Sequence, residues 1–238
     1  VRDIAIQQYV NHYARVNSNV NPLKAVGPRQ LKNLDLMYGD LLASLPNNSK
    51  VLDLGCGTGF LLYWLSTHQG IVPLGVDGSP TQVEVAKQSL PSIDISCQDG
   101  LEYLRKHPNT FAGIFCTDVL ETIPDLDLCL EWIEAARSAL QPGGFFCCRV
   151  TNTANLAWGY TLGLDIMCAR AFTSVSILQF LEVGSLQNCY ILPTRSAHIS
   201  GRLRLKIEEL LHRVIFLICG KALERSFTSS ICAVGFKK

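Results

Sequence analysis

Three aspartates follow one another at the ends of short apolar runs, and their company sets the chemistry open to this chain. Asp53 sits in Val51–Leu54, immediately before the alternating glycines Gly55, Gly57 and Gly59; Asp77 ends "GIVPLGVD", and Asp99 ends "IDISCQD". Glycines in such a turn let the backbone fold tightly and let a ligand approach it closely. Two features separate this turn from the usual phosphate binders. Phe60 stands where a dinucleotide fingerprint places its third glycine, and no Gly-Lys-Ser/Thr follows. A carboxylate at Asp53 repels diphosphate and suits a ligand whose end is positively charged. Asp77 lies about twenty residues past the glycines, where a carboxylate accepts ribose hydroxyls. Asp99 is placed to accept from an exocyclic adenine amine. Each aspartate alone would read as a helix cap or turn residue. Three at successive strand ends describe a crevice for a nucleoside with a cationic tail.

A second set of side chains could handle a proton or a substrate charge. His12, in "NHYARV", and His198, after the apolar run "NCYILP", are the histidines placed to act as a base near neutral pH; His12 reads equally as a surface or capping residue. Tyr13 is placed to stack on the ligand or to bond its carboxylate. Asp118 and Glu121 leave the fourth apolar run and are candidates to meet a substrate amine or hydroxyl. Arg149, at the end of the fifth run, and Arg15 and Arg170 are candidates to meet a substrate anion or those carboxylates; a plain salt bridge is the competing role for Arg149. His68 and His107 fall at helix ends, and His212 reads as structural.

The elements that must position these groups alternate. Leu31, Leu34, Leu41, Leu42 and Leu45 mark a helix from Pro28 to "PNNS". Val51–Leu54, "GIVPLGVD", "IDISC", "FAGIFCT" and "FFCCRV" read as strands, separated by helices at 60–67, 80–90, 101–106 and "LDLCLEWIEAARSAL". Short, continuously apolar strands interleaved with helices predict a parallel sheet covered on both faces. Past Val150 the rhythm changes. "TSVSILQFLEVGS" predicts a capped helix, and "NCYILPT" and "SSICAVGF" a closing pair of strands. Between them residues 201–225 form a stretch that is basic and amphipathic at its ends, and its apolar run Val214–Cys219 is too short to span a membrane. Its readings are core or subunit contact on one hand, hence a possible homodimer, and a helix lying on a membrane surface on the other.

The chain has 238 residues, 48% of them hydrophobic, and a formal net charge of +1. That size suits one compact domain. A balanced charge supplies no long-range field for a polyanion, so a nucleic acid is not expected as partner. The ten cysteines include no CxxC pair and lie mostly in apolar runs. They read as small hydrophobes rather than a disulfide or zinc framework, and no metal is expected. The start, "VRDIAIQQYV", lacks the features of a signal peptide, and a cytoplasmic location is the expectation.

In "VLDLGCGTG", "GVDGSP", "CQDG", "FAGIFCTDVLETIPD" and "LQPGGFF", taken in that order and spacing, the chain resembles the class I S-adenosylmethionine-dependent methyltransferases. The resemblance covers roughly residues 50–150. It implies a Rossmann-like sheet of seven strands, mostly parallel with the last antiparallel, and helices on both faces. It implies S-adenosylmethionine as cofactor and S-adenosylhomocysteine as product. It assigns Asp53, Gly55, Cys56 and Gly57 to the methionine end, Asp77 to the ribose, and Gly78, Asp99 and Gly100 to the adenine. Thr117 and Asp118 fall beneath the sulfonium, with Asp118 beside the reacting atoms. Many relatives read Glu-His where this chain has Glu121-Thr122. A weaker likeness, over 150–236, is to methyltransferases of glycan and natural-product pathways, with Asn152, Asp165, Phe172, Thr173 and Ser176 matching.

The expected layout is an N-terminal helical cap over 1–45, a cofactor-binding core over 46–150, and a substrate-side segment over 151–238 in the same domain. The expected reaction is methyl transfer to an oxygen or nitrogen of a small molecule. Alternatives are methylation of a protein, an NAD-dependent oxidoreductase, which Asp53 and Phe60 oppose, and an inactive cofactor-binding partner subunit.

Overall fold

The structure, a computed structural model, describes residues 26–163, 167–222 and 224–238. The chain runs α1 (Pro28–Ala43), β1 (Ser49–Leu54), α2 (Phe60–Ser66), β2 (Ile71–Asp77), α3 (Pro80–Ser89), β3 (Asp94–Cys97), α4 (Gly100–Lys106) and β4 (Phe111–Thr117). A 3-10 turn at Leu120–Thr122 follows, then α5 (Leu126–Ala139), β5 (Leu140–Thr151), α6 (Trp158–Gly163), α7 (Ser174–Val183), β6 (Gln187–Leu192), α8 (Ile199–Ile218) and β7 (Ser230–Phe236).

The strands form one seven-stranded sheet in the order β3-β2-β1-β4-β5-β7-β6. The pairs from β3 to β5 are parallel, whereas β7 lies antiparallel to both β5 and β6. This is the sheet expected from the sequence. Between β1 and β4 the strand order reverses, because β2 and β3 go one way and β4 and β5 the other. Ligands in open α/β sheets bind at such a switch point, outside the carboxyl ends of the strands.

Side-chain alternation in the central strands builds two cores. Phe115, Phe145 and Cys147 face one layer, where they pack with Tyr38 and Leu42 of α1 and with Trp64 and Leu65 of α2. Ile114, Cys116, Phe146 and Cys148 face the other, against α4, α5 and α7 through Leu104, Ile133 and Leu181. Six cysteines are therefore buried as free thiols, among them the adjacent Cys147 and Cys148, whose alternation sends them into opposite layers.

Local signals fix the connections nearest the sheet edge. Ser79 caps α3 by accepting from Gln82 N, with Pro80 at its first turn. Thr173 and Ser176 form a reciprocal cap on α7. The basic amphipathic stretch differs from its expected extent: α8 starts at Ile199 and stops at Ile218 rather than continuing to 225. Gly220, at φ +64°, turns the chain there, and Lys221 N donates back to Phe216 O at 2.8 Å. Among the described residues, no helix is long and apolar enough to cross a membrane.

Candidate active site

The glycine turn is laid across the end of β2. Gly55 N and Cys56 N both donate to Val76 O, at 2.8 and 3.1 Å. Gly55 (φ +80°) and Gly57 (φ +53°) take left-handed backbone conformations, and a Cβ at Gly55 would run into the Val119 side chain. Both positions therefore need glycine. Gly57 N donates to Asp77 Oδ2 and Ser79 N to Asp77 Oδ1, each at 2.8 Å, so the carboxylate that ends β2 is oriented by two backbone donors. The remaining lone pairs on its oxygens are what a pair of ribose hydroxyls would use.

Beside this turn opens a cavity of about 530 Å³. Its cofactor side is lined by Asp53, Gly55, Cys56, Gly57, Asp77 and Gly78, with Gly100 and Thr117 alongside. Asp53 is 1% exposed, and its Oδ1 has no hydrogen-bond partner among the described residues. Burial pushes its carboxyl up to about 8, helped by the nearby charge of Asp77 and opposed by Arg149. An orphaned buried carboxylate is costly unless a cation completes it. A methionine ammonium or a sulfonium is such a cation, and the donor set fits S-adenosylmethionine: Asp53 for the positive end, Asp77 for the ribose, glycines where the ligand must lie against the backbone. Burial also raises the Asp77 carboxyl.

The acceptor side of the same cavity is lined by Asp118, Glu121, Thr122, Arg149 and Cys168. Parallel pairing of β4 and β5, with Thr117 opposite Arg149, brings Arg149 beside Asp118, and Nε of Arg149 donates to Asp118 Oδ1 at 2.9 Å with Nη2 on Oδ2. This two-point pair is the salt bridge weighed for Arg149, and the residue also lines the cavity. Asp118 itself takes a left-handed backbone (φ 59°), an uncommon conformation for a non-glycine residue that turns the chain sharply off β4.

Glu121 is a second buried carboxyl in the cavity. It is 3% exposed, Thr151 Oγ1 donates to its Oε1 at 2.8 Å, and its buried Oε2 has no partner among the described residues. Burial, then the Asp118 charge, raises its carboxyl to about 7, against the pull of Thr151 and Arg149. Its backbone carbonyl accepts from Ala169 N and Arg170 N, which ties the segment after α6 over this turn. A carboxyl held near neutrality with a free oxygen is suited to accept a proton at physiological pH.

Other expected site residues fall elsewhere. Asp99 is exposed and does not line the cavity; its Oδ1 caps α4 by accepting from Glu102 N at 2.9 Å. The capping role that competed with adenine recognition is the one seen. His198 is the exposed residue before the first turn of α8 and is not among the cavity residues. Its strand, β6, is the sheet's outer edge, four positions from β1, which puts it beyond the switch point. Arg170 spends its guanidinium on the carbonyls of Ile123 and Pro124, at 3.1 and 2.9 Å. His12, Tyr13, Arg15 and Asp165 lie outside the described residues. His212 is structural: its Nε2 accepts from Leu156 N at 2.9 Å and its Nδ1 bonds Glu208 O at 2.7 Å. Asn152 from the weaker likeness is engaged with Ser226 O and Thr228 O, so it fastens the chain, and it is not among the cavity residues.

Nine lining residues were not assigned to the site from the sequence, among them Trp132, Val119 and Gln82. Trp132, read only as part of the amphipathic face of α5, closes the wall where a Cβ on Gly100 would meet its ring. Val119 packs on the glycine turn, and Gln82 reaches over Gly57 from α3. The aromatic among small residues in "EWIEAA" was the one available signal. Among the described residues, no group of three His, Cys, Asp or Glu side chains is placed to hold a metal ion.

Residues 51–144 match the family described as a methyltransferase domain. The chain is 32% identical over 147 residues to a ubiquinone biosynthesis O-methyltransferase of Coxiella burnetii, which covers 60% of this chain and 58% of that protein. The alignment thus spans less than two thirds of the relative's length. In fold the chain resembles a SAM-dependent methyltransferase from Archaeoglobus fulgidus, with a TM-score of 0.65 at 17% identity, over 89% of this chain and 95% of the other. It also resembles a Haemonchus contortus phosphoethanolamine N-methyltransferase 2 solved with S-adenosyl-L-methionine, with a TM-score of 0.57 at 15% identity, over 87% and 56% of the two chains. Sheet order, glycine turn and domain match agree: residues 51–144 match a methyltransferase domain, and the chain has the class I methyltransferase fold.

Proposed function

We propose that the protein methylates a hydroxyl or amine of a small biosynthetic molecule, an oxygen acceptor being the better fit, and that Glu121 takes the acceptor's proton. The observation that carries this reading is Glu121 itself, which lines the same cavity as Asp53 and whose buried Oε2 has no partner among the described residues. A hydroxyl with a high pKa needs a base beside it, whereas a neutral amine needs only orientation. The name of the Coxiella burnetii relative, an O-methyltransferase of a biosynthetic pathway, supports the same choice. A natural-product or glycan pathway, suggested by the weaker likeness over 150–236, is the biosynthetic setting this reading takes.

When bound, S-adenosylmethionine supplies the methyl group, whose bond to sulfur breaks as the bond to the acceptor forms. The chain's own part is placement and proton handling. Asp53 and Asp77 hold the positive and ribose ends. Thr151 fixes one oxygen of Glu121 and leaves the other for the acceptor. The Asp118–Arg149 pair stands at the acceptor wall, where it can meet a polar substituent without carrying net charge.

Calorimetry with S-adenosylmethionine and with NADH tests the cofactor half: binding of the first and silence with the second is expected, and the reverse would end the reading. Labelled S-adenosylmethionine incubated with a metabolite extract tests the acceptor half. Label is expected in a small-molecule fraction and not in protein, and it should vanish with Glu121→Gln while cofactor affinity holds.

A further inference from the structure

Among the described residues, helix α8 contacts the body of the protein along one side. At about 3.6 residues per turn, His212, Leu205 and Phe216 fall on its inner side, where His212 and Phe216 pack on Phe227. His212 is the helix's one buried residue. The outer side carries a continuous stripe of Ile199, Leu203, Ile207, Leu210, Val214 and Leu217, with Ile199 77% exposed and Leu210 and Leu217 each 64%. Solvated helix faces of this length are normally polar.

The charges around the stripe are ordered. Arg202, Lys206 and Arg213 follow one margin and Arg204 the other. Residues 195–225 hold seven Lys and Arg against three Glu, a surplus of four, in a chain whose total is only +1, so the remainder is negative. One of those glutamates, Glu209, is paired with Arg213 and another, Glu208, with Asn155. The chain joined to α8 through Asn155 and the Leu156–His212 bond exposes Trp158 and Tyr160, side chains that favour a boundary between apolar and wet surroundings.

We propose that α8 is a docking surface for an anionic lipid bilayer: the stripe enters the headgroup boundary while the flanking arginines and lysine meet lipid phosphates. A bilayer suits both features at once, since it offers hydrocarbon to the stripe and negative charge to the margins. A second copy laid face to face would set one basic margin against another, because both margins are basic. The helix enters the boundary lying flat and does not span it. This inference is independent of the methyl-transfer reading, and its test uses no catalysis.

The full chain is floated with vesicles of phosphatidylcholine alone and with vesicles of equal parts phosphatidylcholine and phosphatidylglycerol. Flotation with the anionic vesicles, weakening as salt is raised, is expected. Leu210→Gln with Leu217→Gln should reduce the partition roughly a hundredfold, and Arg202→Gln with Lys206→Gln roughly thirtyfold on anionic vesicles. Both pairs are exposed, and unchanged binding of S-adenosylhomocysteine would show that the variants fold. The proposal is overturned if the chain floats with neither vesicle, or if both variant pairs float like the parent. It is equally overturned if the leucine variant only converts a dimer to a monomer in sedimentation, or if hydrogen exchange shows residues 1–25 covering the stripe in the presence of vesicles.

Discussion

On the β1–β2 side of the cavity the ligand-facing groups are mostly backbone: glycines at positive φ, amides folded over Val76 O, and an Asp77 pinned by two N–H donors. On the β4–β5 side they are side chains drawn together from far apart in sequence, Glu121 with Thr151 and Asp118 with Arg149. The first arrangement depends on residues within about thirty positions of one another and tolerates little change. The second depends on strand register and leaves side-chain identity free to vary. A cofactor common to many reactions suits the rigid half, and an acceptor that differs between enzymes suits the adjustable one.

The largest effect that tests this division is expected from Glu121→Gln. It should lower kcat by about 10²–10⁴ and leave the calorimetric affinity for S-adenosylhomocysteine within about twofold. Equal losses in both would merge the two halves. The parent should show kcat/KM rising with pH through about 7, or lower where the bound cation stabilises the carboxylate, and the variant should lose that rise.

Asp53→Asn is expected to act on the other half. Since burial holds the Asp53 carboxyl near 8 in the free protein, a cationic ligand must displace its proton at neutral pH. Affinity for S-adenosylmethionine should therefore rise between pH 6 and 8, with proton release visible when calorimetry is repeated in buffers of different ionisation enthalpy. Asp53→Asn should weaken binding about tenfold at pH 8 and flatten that pH dependence.

Stability should move the opposite way with pH. Glu121 sits at about 7, above its ordinary 4.5, so the folded chain keeps a proton that the unfolded chain gives up. Its contribution is fully present below 4.5 and is lost as pH rises through 7. The loss is about 3 kcal/mol at most, at about 1.4 kcal/mol per unit. Denaturant midpoints of the ligand-free protein should fall across that window, and Glu121→Gln should reduce the fall, so activity and stability trade against each other at one carboxyl.

Gly55→Ala, at φ +80° and against Val119, should cost about 1–3 kcal/mol of stability and weaken cofactor binding with it. The smallest effect belongs to Asp99→Ala. Loss of a helix cap costs about 1 kcal/mol, and cofactor affinity should stay within about twofold; a tenfold loss would restore Asp99 to the ligand side.

The sequence carried the sheet and most of the cofactor side because those signals are local. Apolar runs, a glycine turn and a carboxylate twenty residues on can be read without knowing what lies across the sheet. Asp99 shows the limit of that reading, since a strand-end aspartate and a helix N-cap are neighbours in chain and differ only in where the side chain turns. Glu121 was visible as a residue but not as a buried one. Its partner Thr151 is thirty positions away, and only the register of β4 against β5 brings them together. His198 looked well placed because it follows a strand, but the order of the strands, not their sequence, puts β6 at the far edge. The exposure of α8 was likewise illegible, because an apolar stripe reads the same whether a core or solvent receives it.

The alternation that sends Cys147 and Cys148 to opposite layers also governs how the molecule meets thiol reagents. With six sulfurs sequestered, the solvent-facing Cys97 and Cys219 become the natural first sites of alkylation. Cys219 adjoins the last turn of α8, so a fluorophore attached there would sit beside the apolar stripe and register a change in its surroundings without any engineered residue.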